Sequence, residues 1–234
     1  MQKHDLNLVL QKRYALLNWQ QGSGKTAAVY HRAKYLLKFR KAKNVIILAP
    51  AIATNMTWIP FLTINKERFR TIQTAGDLNN IPEGTFLVVS TSMLRKLKRG
   101  LMRFVKRTSG KLCLVFDESD EITNPTSQRT RNILCIFRRL RYKILDTGTT
   151  TRNNIAELYS QFELLYNNSV NMICWSPQVY HENRGHEIEE ENNPDYGTPF
   201  PAFRGHVLFR ACHCPGKALS LIHISEPTRL LSIS

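Results

Sequence analysis

Two short stretches hold residue types that chemistry needs. The first, Gln20-Gln21-Gly22-Ser23-Gly24-Lys25-Thr26, sets two glycines ahead of a lysine and a hydroxyl side chain. Gly22 and Gly24 let the backbone wrap a phosphate chain around Ser23, with amide N–H groups and the start of a following helix donating to it. Lys25 would reach the β- and γ-phosphates, and the Thr26 hydroxyl would hold Mg²⁺. The fuller pattern G-x-x-x-x-G-K-[ST] is not met, because Trp19 stands at its first glycine. The second stretch is Asp117-Glu118-Ser119-Asp120, which follows the apolar run Leu112-Cys113-Leu114-Val115-Phe116. Asp117 would hold the metal through its water shell, and Glu118 would orient and polarise an attacking water. A carboxylate pair at a strand end is also a common solvent-facing turn. Downstream of a phosphate loop it reads as the acidic half of a site that binds and hydrolyses ATP with Mg²⁺.

Such a site needs a sheet to bring the two stretches together. Five short apolar runs, at residues 15–17, 45–49, 86–90, 112–116 and 143–146, suit strands buried on both faces of a parallel sheet. Helical spacing fills the gaps: residues 25–39, 92–105, 129–140 and 155–165 each repeat apolar positions at three and four. The alternation predicts an α/β fold, a doubly wound parallel sheet with right-handed crossovers. Ligands of such sheets lie beyond the carboxyl ends of the strands, where both stretches fall. Past residue 166 the rhythm stops, and residues 167–218 are rich in Asn, Pro, Gly, Tyr and His. The expected organisation is a nucleotide-binding lobe over 1–166 and an irregular extension or linker over 167–218.

The chain has 234 residues, enough for one α/β domain. Its 33 Lys and Arg against 18 Asp and Glu give a net charge of +15. A surplus of that size favours a polyanionic partner, because each neutralised phosphate releases counterions. The positive charge is clustered at residues 38–43, 95–107 and 138–141; taken singly, each cluster is equally well a solvated helix face. No apolar run approaches the roughly 20 residues of a membrane helix, so the expectation is a soluble intracellular protein without a membrane partner. Five scattered cysteines argue against a disulfide framework, and Cys113 and Cys135 read as core residues in apolar runs. Cys212-His213-Cys214 lacks a second ligand pair at a spacing that zinc would use.

Further stretches make the chain resemble the first RecA-like lobe of superfamily 2 helicases and DNA translocases of the Swi/Snf-like branch, relatives of the DEAD/DEAH-box proteins. Gln2-Lys3-His4-Asp5-Leu6 lies where that family has its glutamine motif, which makes Gln2 the adenine contact. NVIILAPAIATNMTW, ending at Trp58, looks like the family's "vaPxxlxxnW" segment, and LVVSTSML (residues 87–94) like its "vittYexl" segment. Ile122-Thr123-Asn124 with Ser127 resembles "xIKNxxS", and LDTGTTTRNNIAELYSQFELL (residues 145–165) resembles "lTGTPxxNxxxELwsLlxfL". The family's phosphate loop often takes the looser form ending G-x-G-K-T. The resemblance spans residues 2–165 and implies a DNA-dependent ATPase that moves on double-stranded DNA. It further implies that Thr147, Gly148 and Thr149 link the nucleotide site to the DNA-binding face. Residues 50–58 and 90–94 would then lie along the DNA backbone, contacts that position a protein without reading bases.

Four positions depart from the family pattern: Thr150 for a proline, Asp146 for an apolar residue, Thr123 for a lysine, and Asp120 for the DEAH histidine. Motors of this family need a second RecA-like lobe whose arginines complete the site, so this chain alone is expected to hydrolyse ATP poorly. LSLIHISEPTR (residues 219–229) resembles the translation of a transposon-end sequencing adapter. Residues 219–234 are accordingly expected to be read-through of an interrupted gene, of viral or phage type, with the second lobe lost. Two other readings stand beside this one. One is a non-catalytic nucleic-acid-binding module with a vestigial nucleotide site; the other is the motor part of a restriction system or a strand-separating helicase.

Overall fold

The computed structural model describes residues 10, 12–19, 22–108, 111–148 and 158–166. These residues form two compact units, one of residues up to 119 together with 139–148, the other of 120–138 together with 158–166. The first unit contains six strands: β1 (Tyr14–Asn18), β2 (Asn44–Ala49), β3 (Phe69–Thr71), β4 (Phe86–Ser90), β5 (Leu112–Phe116) and β6 (Tyr142–Thr147). They make one sheet in the order β1-β6-β5-β2-β4-β3, with every neighbouring pair parallel. The α/β parallel sheet expected from the apolar runs is therefore present. β2 and β5 are buried along their whole length, which is why they read as continuous apolar runs rather than as alternating ones.

Helix α1 (Lys25–Lys38) follows β1 and buries Ala28, Val29, Ala33 and Leu36 in a core shared with Val45, Ile47, Val88, Val115 and Ile144 of the strands. Between β2 and β3 the chain is helical from residue 51 to 64. It runs as α2 (Ala51–Ala53), a π-helical turn (Thr54–Trp58) and α3 (Ile59–Ile64). Helix α4 (Leu94–Arg107) follows a 3₁₀ turn at Thr91–Met93 and buries Leu94, Leu97, Leu101 and Phe104 against its unit. In the second unit, α5 (Gln128–Phe137) packs with α6 (Tyr159–Tyr166). The Ser127 hydroxyl caps α5 by accepting from the Thr130 amide at 3.1 Å. Arg138 pairs with the buried Glu163 at 3.4 Å in the same unit.

Two elements differ from the sequence expectation. The helical stretch at 51–64 carries no clean helical period, because the π turn shifts the register and Pro60 reads as a helix breaker. β3 is three half-buried residues at the sheet edge, too short and too polar to stand out. Cys113 is buried as expected, whereas Cys135 is exposed on α5, where the helical turn carries it away from its apolar neighbours. The extension at 167–218, the tail at 219–234 and Cys212-His213-Cys214 lie outside the described residues. No helix among the described residues is long and apolar enough to cross a membrane.

Candidate nucleotide site

The carboxyl end of the sheet brings together the stretches that the sequence held apart. β1 ends at Asn18, and the loop that follows reaches α1 through Gly22 and Gly24, at φ 75° and 82°. Both lie in the left-handed region where a side chain would be strained. A Cβ at either position would have no atom within 4 Å, so the backbone is open on that side to an approaching group. Gly24 caps α1, and the first turn of α1 contains no acidic residue to offset the positive end of its dipole. Lys25 opens that helix and donates from Nζ to the Trp19 carbonyl at 2.9 Å, spanning the loop. Ser23 and Thr26 are half-buried beside it.

Asp117 and Glu118 follow β5 directly. The Asp117 amide donates to the Leu48 carbonyl of β2 at 2.9 Å, which extends the ladder one residue past the strand and fixes the backbone there. Glu118 then turns at φ 54°, a left-handed conformation that costs a non-glycine residue about 1–3 kcal/mol. The Asp117 carboxylate is buried and accepts a hydrogen bond from the indole N–H of Trp58 at 2.7 Å. Trp58 itself is fully enclosed in the core. The motif containing Trp58 was recognisable in sequence, but its bond to Asp117 was not. A buried indole needs an acceptor, and that requirement was the available clue.

β6 contributes a third carboxyl group. Phe116 pairs with Leu145, so the next step along each strand sets Asp117 beside Asp146. Asp146 is 1 % exposed and hydrogen-bonded to Asp117. Burial, first, and then the neighbouring Asp117 charge and that hydrogen bond push the Asp146 carboxyl well above the usual carboxylate range. Glu118 adds to the push and Lys25 opposes it. Thr147, fully buried, pairs with Asn18 of β1, the residue just before the loop, and Gly148 follows half-buried. Gln2 and Thr149 lie outside the described residues.

These residues fit a phosphate chain with Mg²⁺. The open left-handed glycines leave room for phosphate oxygens under a helix N-terminus. Mg²⁺ is usually held by one or two carboxylates plus substrate phosphates, and the Thr26 hydroxyl and Asp117 carboxylate are of the types that would contribute to such a set. The basic clusters are largely at the surface: Arg95, Lys96, Arg99, Arg103, Lys106 and Arg107 line the exposed side of α4. In the 50–58 segment Ile52 and Met56 are exposed while Thr54 and Trp58 are buried.

A parallel sheet with a glycine loop between its first strand and first helix defines a P-loop, RecA-like α/β lobe. The chain belongs to the family described as "Type III restriction enzyme, res subunit", whose profile matches residues 1–152. It is also 27% identical over 175 residues to the "ATP-dependent helicase FUN30" of Saccharomyces cerevisiae, covering 70% of this chain and 15% of that protein. The fold resembles the "Sulfolobus solfataricus SWI2/SNF2 ATPase core in complex with dsDNA", with TM-score 0.56 and 17% identity, over 82% of this chain and 40% of that one. The structure described as "Sulfolobus solfataricus SWI2/SNF2 ATPase core domain" aligns with TM-score 0.55 and 16% identity, over 89% and 41%. The chain thus spans less than half the length of each of these relatives. The likeness to the SWI2/SNF2 ATPase cores is one of fold, that of a RecA-like lobe, and the family description fits the restriction-type motor raised as an alternative.

Proposed function

We propose that the chain is the ATP-binding lobe of a DNA-dependent ATPase that moves on double-stranded DNA when joined to a second RecA-like lobe. The observation that carries this reading is the meeting of Gly22–Thr26, Asp117 and Thr147 at the carboxyl ends of β1, β5 and β6. Gly22, Ser23 and Gly24 would bind the phosphates through the backbone, with Lys25 neutralising the β- and γ-phosphate charge. Thr26 and Asp117 would hold Mg²⁺, which when bound offsets the charge on the phosphate oxygens. Glu118 would orient and polarise the attacking water. Gln2 would contact adenine, and Thr147, Gly148 and Thr149 would couple the site to DNA. Support for the DNA partner comes from the net charge of +15, the exposed basic side of α4, and a relative whose structure was solved with duplex DNA.

Fluorescence titration of the chain with an ATP analogue tests the reading. Replacing Lys25 with Ala removes a charge-assisted contact and should weaken binding about 10- to 100-fold. Unchanged affinity would remove Lys25 from the site. The restriction-type motor is a second reading, favoured by the family match over residues 1–152. It uses the same nucleotide chemistry and differs in what the remainder of the protein does to DNA.

A further inference from the structure

A cavity of about 530 Å³ opens at the amino end of the sheet, away from the nucleotide site. Lys43, Asn44, Asn80, Glu83, Arg107 and Lys111 line it, so its cations come from three segments: the turn before β2, the end of α4 and the loop before β5. Lys106 and Arg107 in the last turn of α4 also offset the helix dipole, but that accounts for neither lysine of the cavity. Backbone bonds tie the rim together. The Lys43 amide donates to the Lys111 carbonyl at 2.8 Å, and the Gly84 amide to the Lys43 carbonyl at 2.7 Å. Arg107 lies over the Phe104 ring and donates to the Leu78 carbonyl at 2.8 Å, which holds its guanidinium in the wall. A smaller cavity of about 270 Å³ shares Phe104 and Arg107 with the first and adds Arg103, so the two form one trough along the second half of α4. Among the described residues, four cations line this trough against one carboxylate, Glu83, which pairs with Lys43. Asp77, close by in sequence, is taken up by the Gln73 and Thr74 amides at 2.9 and 2.8 Å.

Cations set in concave walls suit a chain of phosphates that can bend into the trough, which a single nucleic-acid strand can do and a stiff duplex cannot. Arg103 and Arg107 stand about 6 Å apart along the helix axis, and Lys111 and Lys43 add charge beyond the helix end. We propose that this trough is a second nucleic-acid site, one that takes the phosphate backbone of a single strand. Lys111 precedes the five residues of β5 and Asp117 follows them, which puts about 20 Å between the trough and the nucleotide site. Strand binding there needs no ATP.

Anisotropy titrations of the full chain with a labelled oligothymidylate, repeated across salt, test this. Lys43→Gln combined with Lys111→Gln should weaken binding on the order of tenfold. The same pair should make the dependence of log affinity on log salt shallower by about 1.4, or about 0.7 for each phosphate no longer neutralised. Glu83→Gln removes the repelling carboxylate and should tighten binding about two- to fivefold, a change of sign that loss of folding cannot mimic. Thermal melts check that each variant is folded, and Glu83→Gln alone decides the matter should the lysine pair fail to fold. Unchanged affinity and slope in the folded lysine pair, or no tightening in Glu83→Gln, overturns the proposal. So does an equal loss with a hairpin duplex, which would place the lysines on a duplex-binding face. Displacement of the strand by inorganic phosphate at matched ionic strength would assign the trough to a free anion. Equal competition by polyglutamate would assign it to an acidic protein segment, and either result also overturns the proposal. None of these outcomes depends on whether the chain binds ATP.

Discussion

Glu118 has a backbone that its side chain does not favour, at φ 54° directly after Asp117. Strain of this kind persists where the surrounding structure over-determines the residue, and it gathers at sites of chemistry. Two substitutions separate conformation from chemistry. Glu118→Gly relieves the left-handed strain and should raise unfolding stability by about 1 kcal/mol, measured as a higher urea midpoint at constant slope. Glu118→Gln keeps the strain, and so should keep the stability and the nucleotide affinity, while stopping turnover in a two-lobed protein. A glycine variant no more stable than the glutamine variant would show that the positive φ stores nothing. Neighbours matter as much for the other half of the carboxylate pair. Asp117 is restrained by Trp58, 59 positions away in the chain.

Helix α4 divides its residues between two solvents. Leu94, Leu97, Leu101 and Phe104 are buried, and the remaining positions carry the densest positive charge in the described chain. Arg95, Arg99 and Arg103 are exposed and spaced four apart, so they share one side of the helix. If this side lies on DNA phosphates, replacing all three with Gln should weaken duplex binding and make the dependence of log affinity on log salt shallower, by about one unit for each phosphate no longer neutralised. Sequence-independent weakening with a shallower slope is the expected outcome of filter-binding or anisotropy titrations across salt. An unchanged slope would mean that these arginines are only a solvated face and that the DNA phosphates meet other residues.

At the scale of the first unit, two buried groups report on the integrity of the core. Burial, assisted by the hydrogen bond from its hydroxyl to Glu67, pushes the Tyr30 phenol up to about 12. Burial also pushes the Cys113 thiol up to about 12, against the opposing charge of Arg32. In both cases the fold holds the neutral form, so between the unfolded pKa and 12 the native chain binds more protons than the unfolded one. Stability from these groups is intact below about pH 8.5, the ordinary thiol value, and falls away as pH rises toward 12. Thermal melts from about pH 8 to about pH 11.5 should show that decline. Tyr30→Phe should make it shallower, because Glu67 keeps its ion pair with Lys34 at 2.7 Å. An equally steep decline in that variant would exclude Tyr30 as a contributor.

The sequence alone determined the elements whose physics is local or repetitive. The buried strands announced themselves as apolar runs, α1 and α4 by their spacing, and the phosphate loop by glycines, which take up the left-handed region without strain. Gly22, Gly24, Lys25, Thr26 and the Asp117–Glu118 pair could be singled out as candidates because each sits directly beside such an element. Strand order was not, since β5 and β6 insert between β1 and β2, and no local pattern records which strand will neighbour which. The helical stretch at 51–64 was hidden by its π turn, and β3 by its brevity. Asp146 stood out in sequence only as a departure from a motif. Parallel pairing of β5 with β6 made it a neighbour of Asp117, because register, a property of two strands together, decides which residues lie side by side.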